Sequence, residues 1–107
     1  MFLNRISYNI LICAACRSGQ INLALHLHDE MMKRGFFTNL TTYMELLKVH
    51  CWRGDMEGAE DLFLKLLQSG LHVNHVPYKI LVETYRKMGA TDKASKLCQQ
   101  WLKKRKL

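Results

Sequence analysis

The sequence contains a single proline, Pro77, and no long run of apolar residues. A β-sandwich, or another fold with many tight turns, normally uses more prolines, so the composition favours helices. A helix that crosses a bilayer needs roughly 20 consecutive apolar residues, and no stretch of this length is present. Apolar residues still make up 49% of the 107 residues, which is enough for one packed domain and too many for a disordered tail.

The sequence also lacks the usual motifs of metal sites and of catalysis. Cys13 and Cys16 form a C-x-x-C pair, but a second pair at a matching spacing is missing. There is no Gly-rich phosphate loop and no H-E-x-x-H motif, and the five histidines do not pair with carboxylates at a recognised spacing. We therefore expect no enzyme activity, no metal and no cofactor. The cysteines are interpreted as small buried helix residues in a reducing compartment.

Acidic residues are scarce in the last third of the chain. Residues 76–107 hold nine Lys and Arg residues against two Asp and Glu residues, whereas residues 1–75 hold seven of each. The whole net charge of +7 therefore lies in the C-terminal third. A basic region of this kind indicates a polyanionic neighbour, either nucleic acid or an anionic surface. The alternative is a solvated face that ends in a basic tail.

An internal repeat with a period of 35 residues is the main feature that is present. In the two complete copies, Gly35 and Gly70 recur at this spacing, and so do Asn39 and Asn74. No insertion interrupts the register. The positions that coincide in all three copies are Tyr8, Tyr43, Tyr78; Leu11, Leu46, Leu81; Gly19, Gly54, Gly89; Ala24, Ala59, Ala94; and Leu27, Leu62, Leu97.

Each copy predicts a pair of helices. The Tyr and Leu positions recur at helical spacing and predict first helices at about 6–17, 41–52 and 76–87. The Ala and Leu positions predict second helices, at about 21–33 in the first copy, and a glycine ends each helix. Since one pair cannot bury its apolar stripe alone, the pairs are expected to stack. The prediction is a single domain over residues 1–107, with repeats at about 5–39, 40–74 and 75–107, the last incomplete.

Two stretches resemble the pentatricopeptide repeat family, in its pure 35-residue form: "SYNILICAACRSGQINLALHLHDEMMKRG" and "TTYMELLKVHCWRGDMEGAEDLFLKLLQSG". The Tyr after Ser or Thr, the two glycines and the A-x-x-L pattern carry the resemblance, which covers about residues 5 to 105. It implies an all-α fold, a right-handed α-solenoid of three helix–turn–helix repeats. It also implies a non-catalytic protein that binds single-stranded RNA or rRNA in a mitochondrion or plastid.

The resemblance assigns roles to three sets of residues. In the family an apolar residue clamps a base, a residue three positions later reads it together with the last residue of the repeat, and basic residues contact phosphate. The clamps are Ile6, Thr41 and Val76. The base-reading residues are Asn9 with Asn39, which resemble a pyrimidine reader, then Met44 with Asn74, and Lys79. The phosphate contacts are Arg17, Arg53, Lys87, Lys103, Lys104 and Arg105.

The second repeat departs from the family pattern because the methionine cannot make the usual hydrogen bond to a base. The family's proline before the last residue of a repeat is replaced by Thr38 and Val73. At most one unit therefore keeps a recognisable reading pair. A purely structural alternative is that Asn39 and Asn74 cap the helices that follow them.

Three interpretations of the function follow. The favoured one is a small subunit of a larger ribonucleoprotein such as a mitochondrial ribosome, with RNA and other proteins as partners and with no membrane or small-molecule substrate. The second interpretation covers two alternatives. One is a scaffold that binds proteins, and the other is a piece of a longer sequence-specific RNA-processing factor. The third, a membrane-surface adaptor that inserts Trp101 and Leu102, is disfavoured because Trp101 falls on the predicted core stripe.

Overall fold

The computed structural model describes residues 3–105, apart from the side chain of Arg105. These residues form helices and contain no strand, which confirms the all-α helical-repeat prediction. None of the helices in this range has the length and apolar content needed to span a membrane. The helices are α1 (Arg5–Arg17), α2 (Ile21–Lys33), α3 (Leu40–Trp52), α4 (Met56–Gln68), α5 (Val76–Lys87) and α6 (Thr91–Arg105).

The N-termini of the first helices are fixed by short polar residues or by proline. Asn4 caps α1 by accepting a hydrogen bond from the backbone N–H of Ser7 at 2.8 Å. Asn39 caps α3 in the same way, through the N–H of Thr42 at 2.8 Å. Pro77 lies in the first turn of α5, where the N–H that proline lacks would have no helical partner.

The glycine that follows α1 shows how these helices end. Gly19 has a φ of +79°, a conformation that glycine adopts at little cost. Its N–H donates to the carbonyl of Cys16, and the next N–H, of Gln20, donates to the carbonyl of Ala15. This backbone pattern is a Schellman motif, and it satisfies carbonyl groups that the helix end would leave free. The glycines after α2, α3 and α5 make the same pair of bonds.

The helices form two layers. The first helices α1, α3 and α5 pack side by side, and each also packs against the second helix of its own repeat. The three recurring tyrosines and the three recurring alanines are all buried in the core between these layers. Leu46 and Leu81 are likewise buried, whereas the equivalent Leu11 is 42% exposed because no helix covers that side of α1 in the described residues.

Candidate nucleic-acid interface

An open groove of about 600 Å³ runs between α1 and α3, and we call it the first groove. One predicted clamp lies on each wall, Ile6 on α1 and Thr41 on α3, and both side chains are exposed. The predicted reading pair, Asn9 and Asn39, and the predicted phosphate contact Arg17 line the same groove. The structure thus brings together the four residues that the sequence assigns to the first repeat unit and the predicted clamp of the second unit, Thr41.

The amide of Asn9 is held rigidly in the floor of the first groove. The residue is 5% exposed, and its Nδ2 donates to the carbonyl of Arg5, one helical turn earlier, at 2.8 Å. Its Oδ1 accepts a hydrogen bond from the backbone N–H of Asn39 at 3.2 Å. One N–H of the amide is left for a ligand, while the oxygen already joins α1 to the residue that caps α3.

Asn39 combines a structural contact with a free donor group. Its Oδ1 caps α3, as the purely structural interpretation expects, but its Nδ2 has no hydrogen-bond partner among the described residues. The residue is exposed at the groove. Each carboxamide oxygen of the pair already accepts one hydrogen bond within the protein, and each amide keeps a free N–H donor for a ligand.

The second repeat unit is arranged differently. Met44 is half-buried, and Asn74 is exposed and accepts a hydrogen bond from the N–H of Val76 at 3.0 Å. This is a turn two residues long rather than a cap, since His75 occupies the cap position of α5. Val76, the predicted third clamp, is half-buried. These three residues line neither the first groove nor the second groove described below.

A second groove, of about 640 Å³, lies between the C-terminal halves of α3 and α5. The predicted phosphate contacts Arg53 and Lys87 line this groove, together with Lys48. Glu83 is the one acidic lining residue, and its carboxylate lies 4.0 Å from the ammonium group of Lys79 in the next turn of α5. The lining side chains therefore carry a net positive charge.

The other predicted cations are scattered. Lys79 is exposed on α5 but lines neither groove. Lys103 and Lys104 are exposed near the end of α6, in the layer of second helices, and the side chain of Arg105 lies outside the described part of the chain. The guanidinium group of Arg17 lies 3.9 Å from the carboxylate of Glu45. Because the arginine side chain is largely exposed, this ion pair is weak and leaves the guanidinium accessible.

The comparisons with known proteins agree with this architecture. A family model described as "PPR repeat family" matches residues 3–48, and one described as "Pentatricopeptide repeat domain" matches residues 26–88. The chain belongs to the pentatricopeptide repeat family. This membership confirms the resemblance that the Tyr, Gly and A-x-x-L positions indicated.

Three pentatricopeptide repeat proteins of Arabidopsis thaliana illustrate the relatives. The chain is 31% identical to the pentatricopeptide repeat-containing protein At5g39710, over 80% of this chain and 12% of the relative. It is 24% identical to the small ribosomal subunit protein mL103 (rPPR7), over 78% of this chain and 20% of the relative. It is 27% identical to the chloroplastic protein At3g49170, over 88% of this chain and 11% of the relative. The chain therefore spans no more than a fifth of the length of these relatives.

Sequence reasoning missed a buried polar pair in this pentatricopeptide repeat chain. Nε2 of His28, on α2, lies 2.9 Å from Oγ1 of Thr38, just before α3, and both residues are buried. Burial, helped by nearby Lys65, lowers the pKa of His28 from 6.5 to about 4, so the imidazole is neutral at pH 7. The pair ties α2 to the segment before α3, and it lies beside the first groove, because Thr38 also lines that groove.

The cysteines lie in helices, as expected, but the prediction that they are buried holds for Cys16 alone, and the other three are half-buried. Cys16 is buried, and burial raises the pKa of its thiol to about 11. Cys13 is half-buried, and its Sγ lies 3.5 Å from Oγ1 of Thr42 on α3. Within residues 3–105 no group of three His, Cys, Asp or Glu side chains is close enough together to hold a metal ion.

Proposed function

We propose that this pentatricopeptide repeat chain is a non-catalytic RNA-binding protein of an organelle, and that single-stranded RNA lies along its first helices. The first groove carries this proposal. It combines an apolar residue on one wall, two fixed amides, and an arginine that can contact phosphate. Arg5 and Arg17 are the charged residues among those that line it, so its electrostatic potential suits a polyanion.

The geometry suggests how one base would be held. A base placed between Ile6 and Thr41 would contact an exposed apolar side chain on one face and a methyl-bearing side chain on the other. The free N–H groups of Asn9 and Asn39 would then donate to acceptors on the base edge. Uracil and cytosine both offer carbonyl oxygens there, which is compatible with the pyrimidine preference that the family resemblance implies. Arg17 would neutralise a neighbouring phosphate.

The energy available from one such site is small. Stacking a base contributes roughly 1–3 kcal/mol, whereas micromolar binding requires about 8 kcal/mol. A chain with one complete groove therefore needs help from neighbours. This argument supports the further proposal that the protein is a small subunit of a larger ribonucleoprotein such as a mitochondrial ribosome. The relative whose name places it in a small ribosomal subunit supports the same proposal, and chloroplastic relatives keep the plastid as an alternative.

A second candidate function rests on the exposed side of α1. Leu11 is exposed there, whereas Leu46 and Leu81 are buried at the equivalent positions of α3 and α5. The surface therefore suits another helical repeat, either in a longer array or in a neighbouring protein. On this view the chain acts as a scaffold or as one section of a longer RNA-processing factor.

Sedimentation of the tagged protein from an organelle lysate, with and without RNase, separates these functions. Migration with a ribosome-sized particle would support the ribonucleoprotein subunit. A small species that RNase shifts would support a free RNA-binding protein. A small species that RNase does not shift would overturn the proposed RNA-binding function in favour of the protein scaffold.

Direct binding provides the complementary test. A labelled oligouridylate is titrated with the protein at several salt concentrations, and fluorescence anisotropy gives the affinity. Each phosphate contact contributes about 0.7 to the salt slope for a single strand, so Arg17→Ala with Lys87→Ala should lower the slope by about 1.4. Lys33→Ala, at an exposed site on α2 outside both grooves, is the matched control. An affinity independent of salt would contradict the proposal.

A further inference from the structure

Trp52 is the last residue of α3 and is 82% exposed. The equivalent residues, one repeat earlier and one repeat later, are Arg17 and Lys87, which end α1 and α5. An indole ring thus occupies the middle of a row whose other two members are cations. Leaving so large an apolar ring in water is unfavourable, and the contacts described above give it no structural role in the fold.

The second groove surrounds this ring with cations. Lys48, Arg53 and Lys87 line the groove together with Trp52, and Met88 adds a second exposed apolar side chain. The ammonium group of Lys48 lies 3.9 Å from Glu45, but the lysine side chain is more than half exposed. Arg53 and Lys87 make no salt bridge within the described residues. The groove therefore offers a flat aromatic surface next to available positive charge.

We propose that Trp52 is the stacking platform of a nucleotide site in the second groove, where a base of single-stranded RNA stacks on the indole while Arg53 and Lys87 contact the flanking phosphates. The inference rests on the proposed RNA-binding function and extends it to a site that no base-reading position of the repeats covers. The positive lining favours this occupant over an apolar protein surface, which would leave the cations desolvated.

Stacking on Trp52 does not depend on the identity of the base, because every base has an aromatic face. The site would hold the strand without reading it, in contrast to the amide pair of the first groove. The position of Trp52 on α3 places it between Arg17 and Lys87 along the layer of first helices. A strand that leaves the first groove along this layer therefore meets Trp52 before it meets Lys87.

The fluorescence of Trp52 gives the test. Trp101→Phe is made first so that Trp52 is the remaining tryptophan. The substitution is conservative because a phenyl ring can keep the contact that half-buried Trp101 makes with Tyr78, where the tilted rings have centroids 5.2 Å apart. Oligoadenylate is then titrated into the full chain, and both the emission of Trp52 and the anisotropy of labelled RNA are followed. We expect RNA to quench Trp52, Trp52→Ala to weaken binding about tenfold, and Trp52→Phe to restore most of the loss.

Two controls separate stacking from charge and from exposure. Inorganic polyphosphate should displace the RNA without quenching Trp52, since it has no base to stack; equal quenching by polyphosphate would overturn the inference. Leu64→Ala removes another exposed apolar side chain, on α4 and outside both grooves, and should leave the affinity unchanged. Thermal melting followed by circular dichroism checks that each variant is folded.

The outcomes distinguish this inference from the proposed function. If RNA binds but Trp52→Ala binds as tightly as the wild type, the stacking site is overturned and the RNA-binding function stands. Loss of an RNase-resistant protein partner on Trp52→Ala, with unchanged RNA affinity, would likewise overturn the site and identify a protein contact. If the wild-type chain binds no RNA at low salt, both the function and the site are overturned.

Discussion

Two junctions connect the three repeats, and they use opposite kinds of side chain at equivalent positions. The first junction joins the first and second repeats, and the second junction joins the second and third. Four positions, each 35 residues from its counterpart, differ between them. The first junction has Asn9, His28, Thr38 and Thr42, all buried and polar. The second has Met44, Phe63, Val73 and Pro77, all apolar and buried or half-buried.

The first junction is held by hydrogen bonds from α1 and α2 to the segment that leads into α3. His28 on α2 pairs with Thr38, and Asn9 on α1 accepts from the N–H of Asn39. The second junction is held by packing, and Phe63 meets Tyr78 edge to face with ring centroids 4.9 Å apart. Both junctions place one first helix beside the next, and at the first junction α2 also contacts α3.

The difference has a functional consequence. Asn9, Thr38 and Thr42 line the first groove, so the polar junction is also the floor of the candidate base site. Their apolar counterparts line neither groove. Hydrogen-bonded polar groups contribute less to stability than well-packed apolar groups, but they offer donors to a ligand. The chain therefore has one junction suited to binding and one suited to stability.

The largest expected effect comes from breaking the second junction. Phe63→Ala removes a buried aromatic ring and should lower the free energy of unfolding by about 3–5 kcal/mol. His28→Ala, at the equivalent position of the first junction, should cost less, about 1–3 kcal/mol, because it removes a smaller ring and one hydrogen bond. Urea unfolding of both variants measures the two values. Equal losses would show that the polar pair is as stabilising as the aromatic contact.

Acid should weaken the first junction selectively. The folded protein protonates His28 only below about pH 4, whereas the unfolded chain does so below about 6.5. Stability from neutral His28 is therefore complete above pH 6.5 and is lost as the pH falls towards 4, by roughly 2–3 kcal/mol. Urea unfolding at pH 7 and at pH 4.5 measures the loss. Nearby Lys65 and His50 add to it, whereas Asp29 opposes it.

Replacing polar residues of the first junction by their apolar counterparts from the second tests the difference between the two junctions further. His28→Phe alone should lower the free energy of unfolding by about 1–2 kcal/mol at pH 7, because the buried Thr38 hydroxyl loses its partner. Adding Thr38→Val should recover most of that loss and should abolish the selective acid sensitivity. A double variant that remains as unstable as His28→Phe would mean that packing, and not the hydrogen bond, fixes this junction.

Smaller effects are expected at two equivalent tyrosines. The hydroxyl of Tyr8 donates to Glu30 at 2.8 Å, whereas the hydroxyl of Tyr78 is buried with no partner among the described residues. Tyr8→Phe should therefore lower the free energy of unfolding by about 1 kcal/mol, and Tyr78→Phe should leave it unchanged or raise it by up to about 1 kcal/mol. Thermal unfolding of the two variants in parallel shows whether each substitution raises or lowers the stability. A loss at Tyr78 would point to a water-mediated partner.

The helices could be predicted from the sequence almost to the residue. First helices expected at about 41–52 and 76–87 are observed at Leu40–Trp52 and Val76–Lys87, because recurring glycines fix where each helix must stop. Five of the residues that line the first groove were also predicted, from fixed positions in the repeat. That they contact RNA stays a prediction.

The hydrogen-bonding state of the site could not be predicted in this way. The oxygen of Asn9 accepts a hydrogen bond from the N–H of Asn39, and Lys79 lies outside both grooves. Both facts depend on how residues of different helices meet in the fold. Spacing along one helix does not determine such contacts. A signal for the buried histidine was nevertheless present, because a shift by 35 residues aligns His28 with Phe63 and Thr38 with Val73.

The turn at Gly19, with its counterpart at Gly54, makes the repeat an interchangeable segment. Because backbone atoms alone close the motif, the turn places no demand on the side chains of the helices it joins. A duplicate of residues 20–54, inserted after Gly54, would begin and end at matching turns and would present α3 to a copy of itself. The chain could be lengthened by one unit in this way, and each added segment could carry either the polar or the apolar junction by choice of four residues.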